Sequence, residues 1–339
     1  MQVDLLVKQK FDAQIEQGES RLVFHHVAQC QPLISIVIPT YKRDDLLIQA
    51  VLSAVNQTGF TAYEIVIVDN NPDSDASLIN CLTITAATPT IKYYVNPHNL
   101  GMFGNWNRGI ALAQGQWITL LHDDDWLYSN FLSTANVFLR SDYDVLACAS
   151  AIGEEDYPVT STAPESSRLV RAGEISINRL ILGNISPAPG ILIRKSLLVE
   201  MGGFDEKYYP CSDYFTYVRC ALNGKALIIR QTLAYYRTSD SQTFKGDTLA
   251  RMVTMSARIK IELMKLSNRK WTSGLYYLLS MATWYRLSRR KASAVVLQDQ
   301  TRLNYWAELL SHSGVLLSAA LKANALWSAM SSKKFALSV

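Results

Sequence analysis

The chain has 339 residues, of which 49% are hydrophobic and 18% charged. That is enough apolar material for a substantial core and, at roughly 150 residues per unit, for two units. With 16 glycines, 10 prolines and no internal repeat, collagenous, low-complexity, solenoid and propeller architectures are excluded. The net charge of +4 conceals an imbalance: residues 248–339 hold 14 Lys and Arg against 3 Asp and Glu, whereas residues 1–247 hold 19 against 26. An acidic body with a basic tail suits an anionic partner such as a phospholipid surface or nucleic acid.

Five cysteines at irregular spacing, with no Cys-x-x-Cys pair, indicate neither a disulfide framework nor a zinc knuckle and fit a reducing cytoplasm. The N-terminal segment lacks the apolar run and small-residue cleavage site of a signal peptide. The longest uncharged apolar stretch, Trp271 to Tyr285, is 15 residues, short of the ~20 that span a bilayer, so no transmembrane helix is expected.

Residues 1–31 are expected to form a helical extension. Leu33 to Ile38, closed by Pro39, is a β-branched run of the kind buried on both faces of a parallel sheet. Asp44 is placed to cap a helix whose apolar positions (Leu46, Leu47, Ala50, Val51, Ala54, Val55) recur at helical spacing up to Thr58-Gly59. Glu64 to Val68 and Ile91 to Val95 are two further strands, Asn105 to Gln114 is a helix, and Trp117 to Leu121 is a fourth strand running into His122-Asp-Asp-Asp125. Strands alternating with helices imply right-handed crossovers and an α/β fold with a mainly parallel central sheet flanked by helices. Polar loops are expected at 153–167 and 183–190, and from Thr248 onward the pattern is helical only. The organisation expected is therefore residues 1–31, a catalytic or binding unit at 32–247, and a basic helical region at 248–339.

In such a sheet, ligands gather at the carboxyl ends of the strands. Polar clusters stand at those ends: Thr40-Tyr41, Asp69-Asn70-Asn71 and Asp123 to Asp125. Three consecutive aspartates repel one another unless a cation or hydrogen-bond donors intervene, since like charges at ~4 Å cost on the order of 1–4 kcal/mol. Mg²⁺ or Mn²⁺ resolves this with carboxylates, water and substrate phosphates as ligands, which implies a diphosphate partner. The plainer alternative is that the aspartates cap a helix beginning near Trp126. Asp69 either accepts from a nucleobase N–H or forms an Asx-turn with Asn71, and Tyr41 is either a stacking surface for that base or a rim aromatic.

Four segments carry a resemblance. Pro32-Leu-Ile-Ser-Ile-Val-Ile-Pro-Thr-Tyr-Lys-Arg43, Ile65-Val-Ile-Val-Asp-Asn-Asn71, Asn99-Leu-Gly-Met-Phe-Gly-Asn-Trp-Asn-Arg-Gly109 and Gly115-Gln-Trp-Ile-Thr-Leu-Leu-His-Asp-Asp-Asp125 resemble, in order, the motifs of family 2 inverting glycosyltransferases of the GT-A fold. The likeness runs from Leu33 to about Gly224. It implies that Thr40, Tyr41, Asp69 and Asp123 bind the nucleotide of a sugar-nucleotide donor and that Asp124, with Asp125 beside it, ligates Mn²⁺ or Mg²⁺. The chain departs from the family's Asp-x-Asp-Asp by placing His122 at the first position, as a further ligand or as a packed strand-end histidine. Gly190 to Asp205 resembles the family's acceptor-side segment, and Cys211-Ser-Asp-Tyr214 stands where the family has Glu-Asp. By that alignment Asp213 is the general base of an inverting transfer; its plainer reading is an N-cap for the helix that follows. Arg237 stands where the family has a loop near the diphosphate, and it either steadies the leaving group or forms a surface ion pair.

The processive-synthase signature Gln-x-x-Arg-Trp is absent, which favours transfer of a single sugar to a glycan or lipid-linked glycan acceptor in bacterial surface polysaccharide synthesis. The competing functions are a sugar nucleotidyltransferase and a non-catalytic sugar-nucleotide-binding protein. A dehydrogenase is excluded because Pro-Thr-Tyr-Lys-Arg replaces the required Gly-x-Gly-x-x-Gly. Trp271, Tyr276, Tyr277, Trp284 and Tyr285 close to Arg286, Arg289, Arg290 and Lys291 suit an interfacial helix on an anionic membrane, the alternative being a helical domain with a solvated basic face. A nucleic-acid partner is not expected. The location expected is the cytoplasm, peripheral to the inner face of the membrane.

Overall fold

A computed structural model describes residues 3–6, 11, 19–28, 30–81, 89–158, 169–186, 188–238, 246–291 and 333–336, with side chains of Tyr285 to Lys291 and of 333–336 outside the description. Its first strand, β1 (Arg21–His26), is followed by β2 (Ile34–Thr40), α1 (Asp44–Val55), β3 (Tyr63–Asp69), β4 (Thr90–Val95), α2 (Gly101–Leu112) and β5 (Trp117–Leu120). The chain continues through β6 (Trp126–Leu127), α3 (Phe131–Leu139), β7 (Val145–Gly153), β8 (Leu169–Glu174), α4 (Ile177–Leu182), β9 (Ile191–Arg194) and α5 (Lys195–Glu200). Last come α6 (Ser212–Asn223), β10 (Ala226–Arg237), α7 (Gly246–Leu266), α8 (Lys270–Lys291) and β11 (Lys333–Ala336).

One mixed sheet runs in the order β1-β4-β3-β2-β5-β9-β7-β10-β8-β11, with β6 paired to β10. The β4, β3, β2 and β5 segment is parallel throughout, and β7 and β10 are also parallel; β9 joins the two halves by antiparallel pairing to β5 and β7. Every residue of β2 and of β3 is buried. Along β2, Ile34, Ile36 and Ile38 face one core with Leu47, Ala50, Val51 and Ala54 of α1 and with α3, while Val37 faces the other with Phe103, Trp106 and Ile110 of α2. Burial on both faces is the physical reason that the run is continuous rather than alternating. Gly109 leaves no room for a side chain against Val37, which lets α2 lie close on the sheet.

Three expectations are corrected. Residues 21–26 are not helical: Arg21-Leu-Val-Phe-His-His26 pairs antiparallel with β4 and covers its edge, a placement that suits its β-branched and aromatic side chains. Asp44 does not cap α1; Arg43 is at the cap position without a side-chain bond, and Asp44 and Asp45 lie in the first turn, where negative charge is favourable against the helix dipole. The region after Thr248 is not helical only, because Lys333–Ala336 pairs antiparallel with the edge strand β8.

Lys92 and Lys260 are among the buried cations that lie outside the strand-end clusters. Lys92 Nζ meets Glu64 Oε2 at 2.9 Å between β4 and β3, and Glu64 also accepts from Ser35 Oγ and from the amide of Gln114. Lys260 of α7 is fully buried and donates to Ser280 Oγ of α8 at 2.7 Å, with its ammonium 5.7 Å from the Tyr214 ring. Burial pushes its pKa down from the ordinary 10.5 to about 7, opposed only weakly by the Cys211 thiol. Between those values the unfolded chain holds a proton that the folded protein does not, so this lysine's penalty is full below pH 7 and fades as pH rises toward 10. Lys260→Met is accordingly expected to raise the thermal midpoint at pH 6.5 and to raise it much less at pH 9.5. An equal gain at both values would show that the lysine remains charged in the fold.

Candidate active site

β2, β3 and β5 end side by side, and the polar residues that follow them converge. Asn105 of α2 ties the first two ends together by donating to the carbonyls of Thr40 and Val68, and Asn96 Nδ2 donates in turn to Asn105 Oδ1 and Asn70 Oδ1. Asn70 then donates to Asn99 Oδ1 and to the Gly101 carbonyl at the start of α2. This buried asparagine lattice fixes the rim without any net charge.

Asp69 is buried, and both of its oxygens have partners: the Asn71 amide at 2.8 Å, which is the Asx-turn geometry, and the Tyr93 hydroxyl at 2.8 Å. Tyr41 is exposed, with Lys42 Nζ 5.3 Å from its ring centre. Lys42 adopts a left-handed backbone (φ 56°), turning the chain so that Arg43 comes back toward the aspartates. An open groove here is lined by Lys42, Arg43, Asp44, Asp45, Leu46 and Asn71.

The three aspartates do not cap a helix at Trp126: residues 126–127 form β6, and α3 begins only at Phe131. Each aspartate has a protein partner, and Arg43 serves two of them. Asp123 accepts from Thr40 Oγ1 at 2.8 Å and from Arg43 at 3.3 Å; Asp124 accepts from the same arginine at 2.9 Å. Asp125 takes the Arg237 amide on Oδ1 at 2.8 Å and has His122 Nδ1 at 3.4 Å from Oδ2. Burial raises the pKa of Asp123, with the Asp124 charge adding to it and Arg43 and Thr40 opposing. Burial likewise raises Asp125, against the pull of His122. For His122, burial alone would lower the pKa, but Asp125, with Asp124 and Asp123 behind it, reverses the sign and raises it.

His122 stacks on Trp106, ring centres 4.9 Å apart. The packed strand-end reading and the ligand reading are therefore compatible: ligand atoms of His122, Asp124 and Asp125 all lie within 4.8 Å of one another, while His122 Nε2 and Asp125 Oδ2 are buried without a hydrogen-bond partner. One imidazole nitrogen and two carboxylates suit Mn²⁺ or Mg²⁺, with Mn²⁺ the more tolerant of nitrogen. Asp123 is turned away from this group, toward Thr40 and Arg43.

Arg237 is buried, and its guanidinium reaches the Asp124 carbonyl, Asp156 at 2.7 Å and Gln49 at 2.8 Å. Neither a bare surface ion pair nor an open cation, it clamps residues 153–157 beside the aspartate turn. β6 makes this possible: pairing with Ala234 and Tyr235, it carries Asp125 to the end of β10, and Trp126 stacks on Tyr235 at 3.7 Å.

Asp213 is not an N-cap. α6 begins at Ser212 with Cys211 at the cap, and Asp213 sits in the first turn, where Oδ2 accepts from Asn184 Nδ2 at 2.9 Å. Burial raises its pKa, while the Tyr214 amide, the His122 imidazole and Asn184 lower it. Arg43, the asparagine lattice and Asn184 have no signal in spacing, because each acts through contacts between elements distant in sequence.

Residues 35–198 match the family described as Glycosyl transferase family 2. The chain is 28% identical over 264 residues to the GalNAc(5)-diNAcBac-PP-undecaprenol beta-1,3-glucosyltransferase of Campylobacter jejuni, covering 75% of this chain and 82% of that protein. It is 26% identical over 270 residues to a PGL/p-HBAD biosynthesis glycosyltransferase of Mycobacterium bovis, covering 77% and 99% respectively. Among solved structures, S. aureus TarS in complex with UDP-GlcNAc superposes with a TM-score of 0.56 at 16% identity, over 76% of this chain and 74% of that one. The mannosyltransferase PcManGT of Pyrobaculum calidifontis, in complex with GDP-Man and Mn²⁺, does so with a TM-score of 0.51 at 12% identity, over 95% and 89%.

Arg43→Met tests the charge balance directly. It is expected to lower stability to urea by about 1.5–3 kcal/mol near pH 7, the range for a hydrogen bond to a charged group. The loss should diminish as pH falls into the raised titration range of Asp123, because a protonated carboxyl no longer needs the cation. A loss independent of pH would assign Arg43 a packing role instead.

Proposed function

We propose that this protein, whose residues 35–198 match Glycosyl transferase family 2 and whose fold is that of GT-A glycosyltransferases, carries out a metal-dependent, inverting transfer of a single sugar from a nucleotide-diphosphate donor to a hydroxyl of a glycan or lipid-linked glycan. The supporting observation is the His122, Asp124 and Asp125 donor group, together with a buried carboxylate, Asp213, held by Asn184.

The donor's nucleotide lies along Thr40, Tyr41, Asp69 and Asp123, with the exposed Tyr41 ring as the surface for the base. Asp124 and Asp125, with His122, would hold Mn²⁺ or Mg²⁺, which when bound would neutralise the diphosphate and its developing charge. Arg43 bridges Asp123 and Asp124 Oδ2. Arg237 acts on the leaving group through the turn: its amide fixes Asp125 and its guanidinium fixes the loop at Asp156. Asp213 takes the proton of the acceptor hydroxyl as its oxygen bonds to the anomeric carbon from the face opposite the departing diphosphate. Burial strengthens it as a base by raising its pKa toward the working pH.

The relatives' names support the acceptor class: one acts on an undecaprenol-linked glycan, the other in PGL/p-HBAD biosynthesis. No described helix is long and apolar enough to cross a membrane. Peripheral attachment to the inner membrane face has a local basis at the α7–α8 corner, where Trp271 is 95% exposed, Leu275 follows one turn later at 54%, and Lys265, Arg269 and Lys270 lie alongside. The side chains of Arg286, Arg289, Arg290 and Lys291, expected to add to this surface, lie outside the described residues. In this reading residues 32–247 are the transferase unit and 248–339 the basic attachment region.

Asp124→Ala is expected to abolish the Mn²⁺-dependent part of UDP, GDP or dTDP binding measured by calorimetry; undiminished binding in Mn²⁺ would remove the metal assignment. Asp213→Asn is expected to keep nucleotide affinity while turnover falls about 10²–10⁴-fold, the span of a general base. Near-normal turnover would transfer the role to another carboxylate.

A further inference from the structure

α4 ends at Gly183 with φ 146° and ψ −166°, a region of backbone space open essentially to glycine alone. That turn presents Asn184, whose Nδ2 donates to Asp213 Oδ2 at 2.9 Å. Arg179, one turn back on α4, reaches forward with its guanidinium and donates to the carbonyls of Gly183 at 3.3 Å, Asn184 at 3.1 Å and Ile185 at 3.0 Å. A rigid fork with several donors suits three successive carbonyls as a lysine would not.

The helix carrying this turn is itself tied down. The Tyr214 hydroxyl donates to the Leu180 carbonyl at 2.6 Å, Ser280 Oγ to the Leu182 carbonyl at 2.7 Å, and Ser273 Oγ to Asn178 Oδ1 at 3.0 Å. α6 and α8 thus hold α4 from two sides, and Lys260 reinforces Ser280. The arrangement persists against cost. Asn184 Oδ1 is buried without a hydrogen-bond partner, and a buried orphan acceptor costs about 1–3 kcal/mol that an apolar side chain would avoid. Gly183, in a region that only glycine enters freely, and the orphan oxygen of Asn184 stand beside the side-chain amide that donates to the Asp213 carboxylate, the pattern of a group retained for geometry rather than stability.

We infer that Asn184 is a positioning residue that orients the Asp213 carboxylate, and that Arg179 sets it by locking the backbone of residues 183–185. The inference rests on Asp213 being the base only for its kinetic consequence; the orientation itself is independent of that reading. Displacing a reacting group by about 1 Å can cost on the order of 10²-fold in rate.

The test uses the full chain and two readouts. Crystal structures of wild type and Asn184→Ala would show whether the Asp213 side chain leaves its place. Release of nucleoside diphosphate from UDP-glucose, UDP-N-acetylglucosamine and GDP-mannose with Mn²⁺, in which water replaces the acceptor and gives up its proton to the same base, would report turnover. Asn184→Ala and the similarly sized Asn184→Leu are both expected to lower kcat about 10²-fold with the KM for donor unchanged, and Arg179→Lys to lower it less. An Asn184→Leu variant with wild-type kcat would overturn the inference, since side-chain volume is kept there and the donor is removed without adding a charge. An unmoved Asp213 in Asn184→Ala would overturn it too. If Asp213→Asn kept full turnover while Asn184→Ala displaced the carboxylate, the base assignment would fall and the positioning would stand. Should none of the three donors be turned over by the wild type, the crystallographic comparison decides alone.

Discussion

Three consecutive carboxylates at the end of one buried strand are the constraint that the rest of this structure answers. At ~4 Å, with partial burial, their mutual repulsion is on the order of 1–4 kcal/mol per pair, and burial adds a desolvation cost for each. The fold disperses it by supplying partners from several elements: Thr40 at the end of β2 for Asp123, Arg43 just beyond it for both Asp123 and Asp124, and His122 with the Arg237 amide for Asp125. Only a sheet that puts the ends of β2, β5 and β10 within one turn of each other can do this. The two-residue β6 is the device that brings in β10, since its pairing with Ala234 and Tyr235 carries Asp125 to Arg237.

That solution is also what makes the site responsive. Arg43 is partly exposed and binds two aspartates at once, so it neutralises the cluster yet remains displaceable by a cation that arrives with a diphosphate. His122 is held differently, stacked on Trp106 and close to Asp125. The asparagine lattice around Asn70, Asn96 and Asn105 keeps the neighbouring strand ends rigid without adding charge to a site that already carries an excess.

The opposite wall is built from the second half of the chain. Asp213 comes from α6 and its hydrogen-bond donor from the turn after α4, while α7 and α8 pack against α4 through Lys260, Ser273 and Ser280. The α7–α8 pair is therefore packed onto the element that carries Asn184. The exposed Trp271, the attachment point in the proposed function, lies on α8 about 14 Å along the helix from the level of Ser280, at 1.5 Å per residue.

The sequence by itself determined the strands β2 to β5, because residues buried on both faces must be apolar throughout and end abruptly where polar groups begin, and it determined the strand-end clusters for the same reason. Four motifs in order carried the family and the mixed α/β architecture, which the comparisons bear out. Tertiary structure alone decided which way each of those polar groups faces. Asp123, Asp124 and Asp125 are equivalent in sequence, but one turns to Thr40 and two turn toward His122, a difference set by elements 80 or more residues away in the case of Arg43. The strand at residues 21–26 and the short strand at 333–336 were illegible because edge pairing depends on a partner backbone and not on periodicity. Asn184 and Arg179 were illegible for the same physical reason: a hydrogen bond between α4's turn and α6 leaves no pattern along the chain, only in the space where the two helices meet.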